Sequence, residues 1–331
     1  MLHLARRIVR GFVPGVAGAV LALGLAAPVA AVTIDWVTVG NPGNACDVQS
    51  QGCFGAVARD YRIARTEVTN AQYAEFLNAV AATDTNALYN PSMGEQSVGG
   101  IDRFGSPGSF SYSAKTGREN VPVNFVSFWD ALRFTNWLHN DQLGGAQDAT
   151  TTEDGAYTIT APGVSNNSIV RNPGARIFLP SEDEWYKAAY HDALGLQAID
   201  YFNYPAGFDA QTLCTVPGVV PNTANCNNAV RDLTAVGGYA GAASPYGTFD
   251  QGGNVWELNE TILGPSARGL RGGAFDRVAA TLSASVQNGL VPSSEHGNVG
   301  FRVAAVPEPG TGLLVMIGML GIAGWRRTRA G

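Results

Sequence analysis

Apolar residues at Ala71, Tyr73, Phe76, Leu77 and Val80 recur with the three-and-four spacing of one helical face, and Thr69 stands where such a helix needs a cap. Two further helices are announced by their first turns. Ser127-Phe-Trp-Asp130 has the form of a capping box, with Asp in place of Glu, and opens a helix over 131–139. Ser181-Glu-Asp-Glu184 is a fuller box before a helix over 185–191. Each predicted helix follows a short segment read as extended: 61–67, 121–126 and 176–180. The stretches 83–120 and 141–175 between them are rich in Gly, Ser, Asn and Thr, and loops that long are usually functional or stapled. No repeat is visible and no linker divides 32–303, so one domain is expected there.

The ends follow a different pattern. Arg6, Arg7 and Arg10 precede an apolar stretch from Phe12 to Val29, and small residues at 27–31 allow cleavage after Ala30 or Ala31. This is the composition of a secretory signal peptide over 1–31, with an uncleaved anchor as the alternative. At the other end Val306-Pro-Glu-Pro-Gly310 leads into an apolar run from Thr311 to Trp325, then Arg326, Arg327 and Arg329. The run is slightly short of the ~20 residues of a membrane span, and the arginines behind it supply a positive-inside stop.

Charge changes once the ends are set aside. The whole chain carries −6; residues 32–309 hold 15 basic and 27 acidic residues, or 15 − 27 = −12. A body that acidic is not a nucleic-acid binder. Charged residues are only 15% of the chain and glycines number 41, which predicts a loop-rich fold with many left-handed turns. The four cysteines form two close pairs, Cys46/Cys53 and Cys214/Cys226, and in an exported chain they read as two local disulfides. Zinc is the alternative, weakened by the spacing and by the lack of a nearby histidine. His3, His139, His191 and His296 are scattered; His139 and His191, at helix ends, read as satisfied surface histidines. No G-x-S-x-G, phosphate-binding glycine loop or H-E-x-x-H is present. Trp129, Trp137, Trp185 and Trp256 read as core anchors, Arg271 and Arg302 as fixed to buried acceptors, and Glu67 and Asn70 as organisers of a strand-to-helix turn.

Six blocks carry a resemblance: Ile63-Ala-Arg-Thr-Glu-Val-Thr-Asn70, Pro122-Val-Asn-Phe-Val-Ser-Phe-Trp-Asp-Ala131, Arg176-Ile-Phe-Leu-Pro-Ser-Glu-Asp-Glu-Trp185, Tyr246-Gly-Thr-Phe-Asp-Gln-Gly-Gly-Asn-Val-Trp-Glu257, Arg271-Gly-Gly273 and Gly300-Phe-Arg302. In this order they resemble the formylglycine-generating enzyme (sulfatase-modifying factor) family, over roughly residues 60–303. The resemblance implies an α+β fold related to C-type lectin domains, with little regular secondary structure. It implies structural calcium held by Asp250, Gly253, Val255 and Glu257, and a second set near Asn225, Cys226 and Asp232; oxygen donors from a tight glycine loop suit that ion.

The family's copper-dependent oxidation of a substrate cysteine needs a cysteine pair shortly after Arg-Gly-Gly. Here Arg277 and Leu282 occupy those places, so no copper is expected and no catalytic residue is assigned. The segment 275–296, with Phe275, Asp276, Arg277 and His296, is the first candidate for a ligand surface. Pro307-Glu308-Pro309, the apolar run and the basic tail over 304–331 resemble a PEP-CTERM sorting signal. That implies signal peptidase and exosortase as processing partners, a transient inner-membrane anchor, and delivery to the cell envelope or the exterior. The leading expectation is an exported, non-catalytic module binding a surface glycan or protein. An enzyme of altered chemistry and a structural component of an exopolysaccharide matrix remain the alternatives.

Overall fold

The computed structural model describes residues 31–195 and 200–307. The signal-peptide reading over 1–30, Glu308 and Pro309, and the apolar run behind them lie outside the described residues. No helix among the described residues is long and apolar enough to cross a membrane.

The three capped helices form where the sequence places them: α1 Asn70–Val80, α2 Phe128–His139 and α3 Glu182–Tyr190. Thr69, Ser127 and Ser181 each accept from the backbone amide three residues on, and Gln72, Asp130 and Glu184 reach back to the cap amides. Each box satisfies two amides that helix geometry leaves unpaired, and each cap is worth about 1 kcal/mol. α2 and α3 start three residues earlier than predicted because the box residues are themselves the first helical turn. α3 stops at Tyr190, and His191 is already extended.

Two small sheets frame the helices. The first joins β1 Trp36–Val39, β2 Tyr61–Ala64, β3 Ile177–Phe178 and a C-terminal strand, β8 Ala304–Ala305, in the order β1-β2-β8-β3, antiparallel throughout. The second joins β4 Trp256–Ile262, β5 Arg268–Arg271, β6 Asn288–Leu290 and β7 Val299–Gly300 in the order β6-β5-β4-β7. Here β4 pairs antiparallel with β5 and parallel with β7. The segments 61–67 and 176–180 are therefore partly strand, as expected. The segment 121–126 is not: it makes only an isolated bridge from Pro122 to Thr69, and Phe125 turns left-handed at φ +55°.

The main core is aromatic. Tyr73 and Phe76 of α1 meet Phe134 and Trp137 of α2, with Phe76 and Phe134 edge to face at 5.4 Å and Phe134 the same against Phe301. All four anchor tryptophans are buried. The surface reading of His191 is corrected. His191 is buried, stacks on Tyr246, meets the Tyr201 ring at its edge, and pairs its Nδ1 with the Tyr246 hydroxyl at 3.0 Å. A polar ring buried by neighbouring tyrosines needs such a partner, and burial pushes its pKa below the usual histidine value.

Candidate functional site

The glycine loop before β4 is shaped by left-handed residues: Asp250 at φ +60°, Gly253 at +90° and Asn254 at +58°. Gly253 is required on two counts, since a Cβ there would lie 2.4 Å from the carbonyl oxygen of Asn225. The Asn254 amide donates to that same carbonyl at 2.9 Å, and its side chain bridges both polar backbone atoms of Thr234. The turn thus brings Asp250 and Glu257, seven positions apart, inward from one loop.

Three carboxylates and one guanidinium meet below it. Glu257 is fully buried and receives Arg302 through two hydrogen bonds, 2.6 Å to Oε2 and 2.7 Å to Oε1, while Trp185 Nε1 donates to Oε2 at 2.8 Å. Asp250 accepts from the Gly237 amide at 2.5 Å. Glu67, on the strand-to-helix turn, is buried with Oε2 lacking any hydrogen-bond partner. Were all three carboxylates ionised, Arg302 would balance only one of them, and the cluster relieves that crowding by holding a proton. Burial and the neighbouring Asp250 push Glu67 well above the ordinary carboxylate range, and burial raises Asp250 to about 6.

The orphaned buried oxygen of Glu67 beside Asp250 is the feature that suits a cation. Of the ligands the resemblance implies, Asp250 and the backbone carbonyls of Gly253 and Val255 would supply hard oxygen donors, whereas both oxygens of Glu257 are already engaged by Arg302 and Trp185. No group of three His, Cys, Asp or Glu side chains among the described residues is placed to hold a metal ion. The second set is less well arranged. Asn225 Oδ1 is buried without a partner, as a ligand would be, but Asp232 is turned to Arg118 by two hydrogen bonds of 2.9 and 3.0 Å. The Cys226 carbonyl already accepts from the Ala229 amide.

The segment proposed from sequence as a ligand surface divides. Phe275 is buried against Val121, Leu233 and Val255 and is withdrawn from any surface. Asp276 is bound by Asn298 and lies 3.4 Å from Arg277, whose side chain is half exposed; His296 is exposed. Leu282 is fully buried beside Tyr204, Ala224 and Cys226. It lines a narrow pocket of about 20 Å³, room for about one water, together with Pro205, Thr212, Tyr239, Thr248 and Asp250. Sequence reasoning missed both this pocket and the place of Glu67 in the acidic cluster. No linear signal marks either, because each is assembled from separated segments.

Both cysteine pairs are disulfides, Cys46–Cys53 and Cys214–Cys226, and no cysteine is free. Arg271 is fully buried, held by Glu182 at 2.7 Å and by the carbonyls of Ala284 and Val286.

Residues 53–306 match the family model described as the sulfatase-modifying factor enzyme 1-like domain. The chain belongs to that family. Residues 305–328 match the PEP-CTERM protein-sorting motif, which marks this family member for export with exosortase processing. Among solved structures the fold is similar to that of CarF, with 23% identity, 83% of this chain and 99% of that chain covered, and a TM-score of 0.53. Treponema denticola variable protein 1 shares 19% identity over 84% of this chain and 97% of that one, with a TM-score of 0.49. PvdO from Pseudomonas aeruginosa shares 17% over 83% and 92%, with a TM-score of 0.45. No curated protein sequence matches the chain. The α+β, loop-rich architecture is that of this family.

Proposed function

We propose that the protein is an exported, non-catalytic binding module: the family scaffold kept, its cysteine chemistry lost. The observation that carries this reading is the fate of the thiols. By the family resemblance Arg277 and Leu282 take the places of the catalytic cysteines, and all four cysteines of the chain are closed in two disulfides, one of which, Cys214–Cys226, packs beside Leu282. A thiolate is the group that ligates copper(I) and exchanges with a substrate cysteine, and neither a guanidinium nor an isobutyl side chain replaces it.

Calcium at Asp250, Gly253, Val255 and Glu257 belongs to the same reading as a structural ion, supported by the orphaned Glu67 Oε2 beside Asp250. Asn225, Cys226 and Asp232 are a weaker second set. The ligand is a surface glycan or protein, met by the face that carries Asp276, Arg277 and His296. The mature protein resides in the cell envelope or outside the cell after a transient stay in the inner membrane. The test is a binding screen of the purified protein against glycan arrays and cell-envelope extracts, with calcium and with chelator. Retained binding that Arg277→Ala with His296→Ala abolishes supports the reading. An empty screen favours the structural matrix component.

A further inference from the structure

We propose that the face around the point where the chain leaves β8, formed by Leu143, Arg176 and Val306, is a footprint that rests on a phospholipid bilayer while the sorting segment is in the membrane. The inference deepens the export reading and rests on it, since the partner follows from the sorting motif matched at residues 305–328. The exit carries no slack. β8 is an interior strand, paired through Ala304 and Ala305 with β2 on one side and β3 on the other. The Val306 amide then donates to the Arg176 carbonyl at 3.0 Å, so the backbone stays fastened one residue beyond the strand.

Three residues, 308–310, separate Pro307 from the apolar run that starts at Thr311. Four residue steps reach at most about 14 Å even when fully extended. The headgroup layer is itself about 5–8 Å thick on each side of the hydrocarbon core. An apolar run seated in that core therefore holds the Val306 end of the domain against the headgroups. The tether is too short for any distant face of the domain to take that place.

The surface beside the exit suits that position. Arg176 ties it to the end of α2: its amide donates to His139 Nδ1 at 3.1 Å, and its guanidinium donates to the His139 carbonyl and, at 3.1 Å, to Asp141 Oδ1. Two residues beyond Asp141, Leu143 leaves 53% of its surface in water, and Val306 leaves 36%. These are the side chains placed to enter the interface. Gln142, between Asp141 and Leu143, holds Val32 by both backbone atoms, accepting from its amide at 2.6 Å and donating to its carbonyl at 2.8 Å. Val32 is the first residue after the segment read as a signal peptide, so both points at which the domain joins its address segments lie on one face. Charge agrees. The domain carries 15 − 27 = −12, and an acidic surface is repelled by anionic headgroups. At the exit the exposed Asp141 is matched by Arg176, whose side chain is itself more than half exposed. A guanidinium so placed is the group that meets headgroup phosphates.

The experiment places the full chain in vesicles of phosphatidylethanolamine and phosphatidylglycerol. All four native cysteines are closed in disulfides, so one introduced thiol takes up a fluorophore alone. The label is set in turn at Leu143→Cys and at two comparably exposed positions on other segments, Phe104→Cys and Val278→Cys. It is then quenched by lipids that carry a spin label at the headgroup. Emission should be lost at position 143 and kept at 104 and 278, and the loss at 143 should shrink when Arg176→Glu is added. A chain that fails to float with the vesicles overturns the sorting reading and the footprint together. A chain that floats with position 143 unquenched, or with all three positions quenched alike, overturns the footprint alone. An undiminished loss in Arg176→Glu overturns the headgroup contact of that residue.

Discussion

Arg302 and Glu257 form a bidentate ion pair with both side chains fully excluded from water, Nε to Oε2 at 2.6 Å and Nη2 to Oε1 at 2.7 Å. The pair joins the glycine-loop strand β4 to the segment between β7 and β8, and Arg302 further donates to the carbonyls of Ala64, Arg65 and Phe249. One side chain thereby ties the first sheet, the second sheet and the loop that carries Asp250. Removing only one partner leaves a buried, unpaired charge. Arg302→Met is expected to cost about 3–5 kcal/mol, read as a lower urea midpoint with an unchanged slope.

Gly253 is the tightest point of the candidate cation loop. Gly253→Ala places a Cβ against the Asn225 carbonyl and forces an L-residue into the left-handed region. The expected loss is about 1–3 kcal/mol, together with weakened calcium binding by isothermal titration. A variant as stable as wild type shows that the loop differs from the one described.

His191 sets an acid limit. Its folded pKa is lowered by burial, so the folded state binds a proton less readily than the unfolded chain. Its contribution to stability is complete above the unfolded value of about 6.5 and is lost as pH falls through that value towards the folded pKa. Urea unfolding between about pH 7 and 5 should show a declining midpoint, and His191→Gln should flatten the decline while lowering stability at pH 7 through loss of the Tyr246 stack.

The Cys214–Cys226 bridge spans 12 positions and closes a loop whose tip exposes Val216, Val219 and Val220. Replacing both cysteines by alanine should cost about 3 kcal/mol through the freed unfolded chain. Thermal unfolding with and without reductant measures it: the wild type should fall further with reductant than the double variant, which keeps only Cys46–Cys53 to reduce.

The helices were legible because a capping box is a local device, written in four consecutive residues. Strand β4 was not. Trp256-Glu-Leu-Asn259 does alternate apolar and polar residues, but Glu257 and Asn259 are buried as well as Trp256 and Leu258, which the alternation does not reveal. Glu257 is buried because it has a distant partner in Arg302, and Asn259 because Gly269, lacking a side chain, lets it pack closely against β5. The same limit applies to the site. The motif residues Asp250 and Glu257 are readable in sequence, whereas the addition of Glu67, nearly two hundred positions upstream, follows from packing alone. His191 was misread because its tyrosine partners, Tyr201 and Tyr246, come from segments that no periodicity connects to α3.

The central claim is that the scaffold has lost its cysteine chemistry, and copper(I) binding tests it most directly. Titration of the purified protein against a competing copper(I) chelator, followed by incubation with oxygen and a cysteine-bearing sulfatase peptide, should show no competitive binding and no aldehyde. The double variant Arg277→Cys/Leu282→Cys should gain copper(I) binding at the restored positions. Copper capture and aldehyde formation by the wild-type protein would contradict the account.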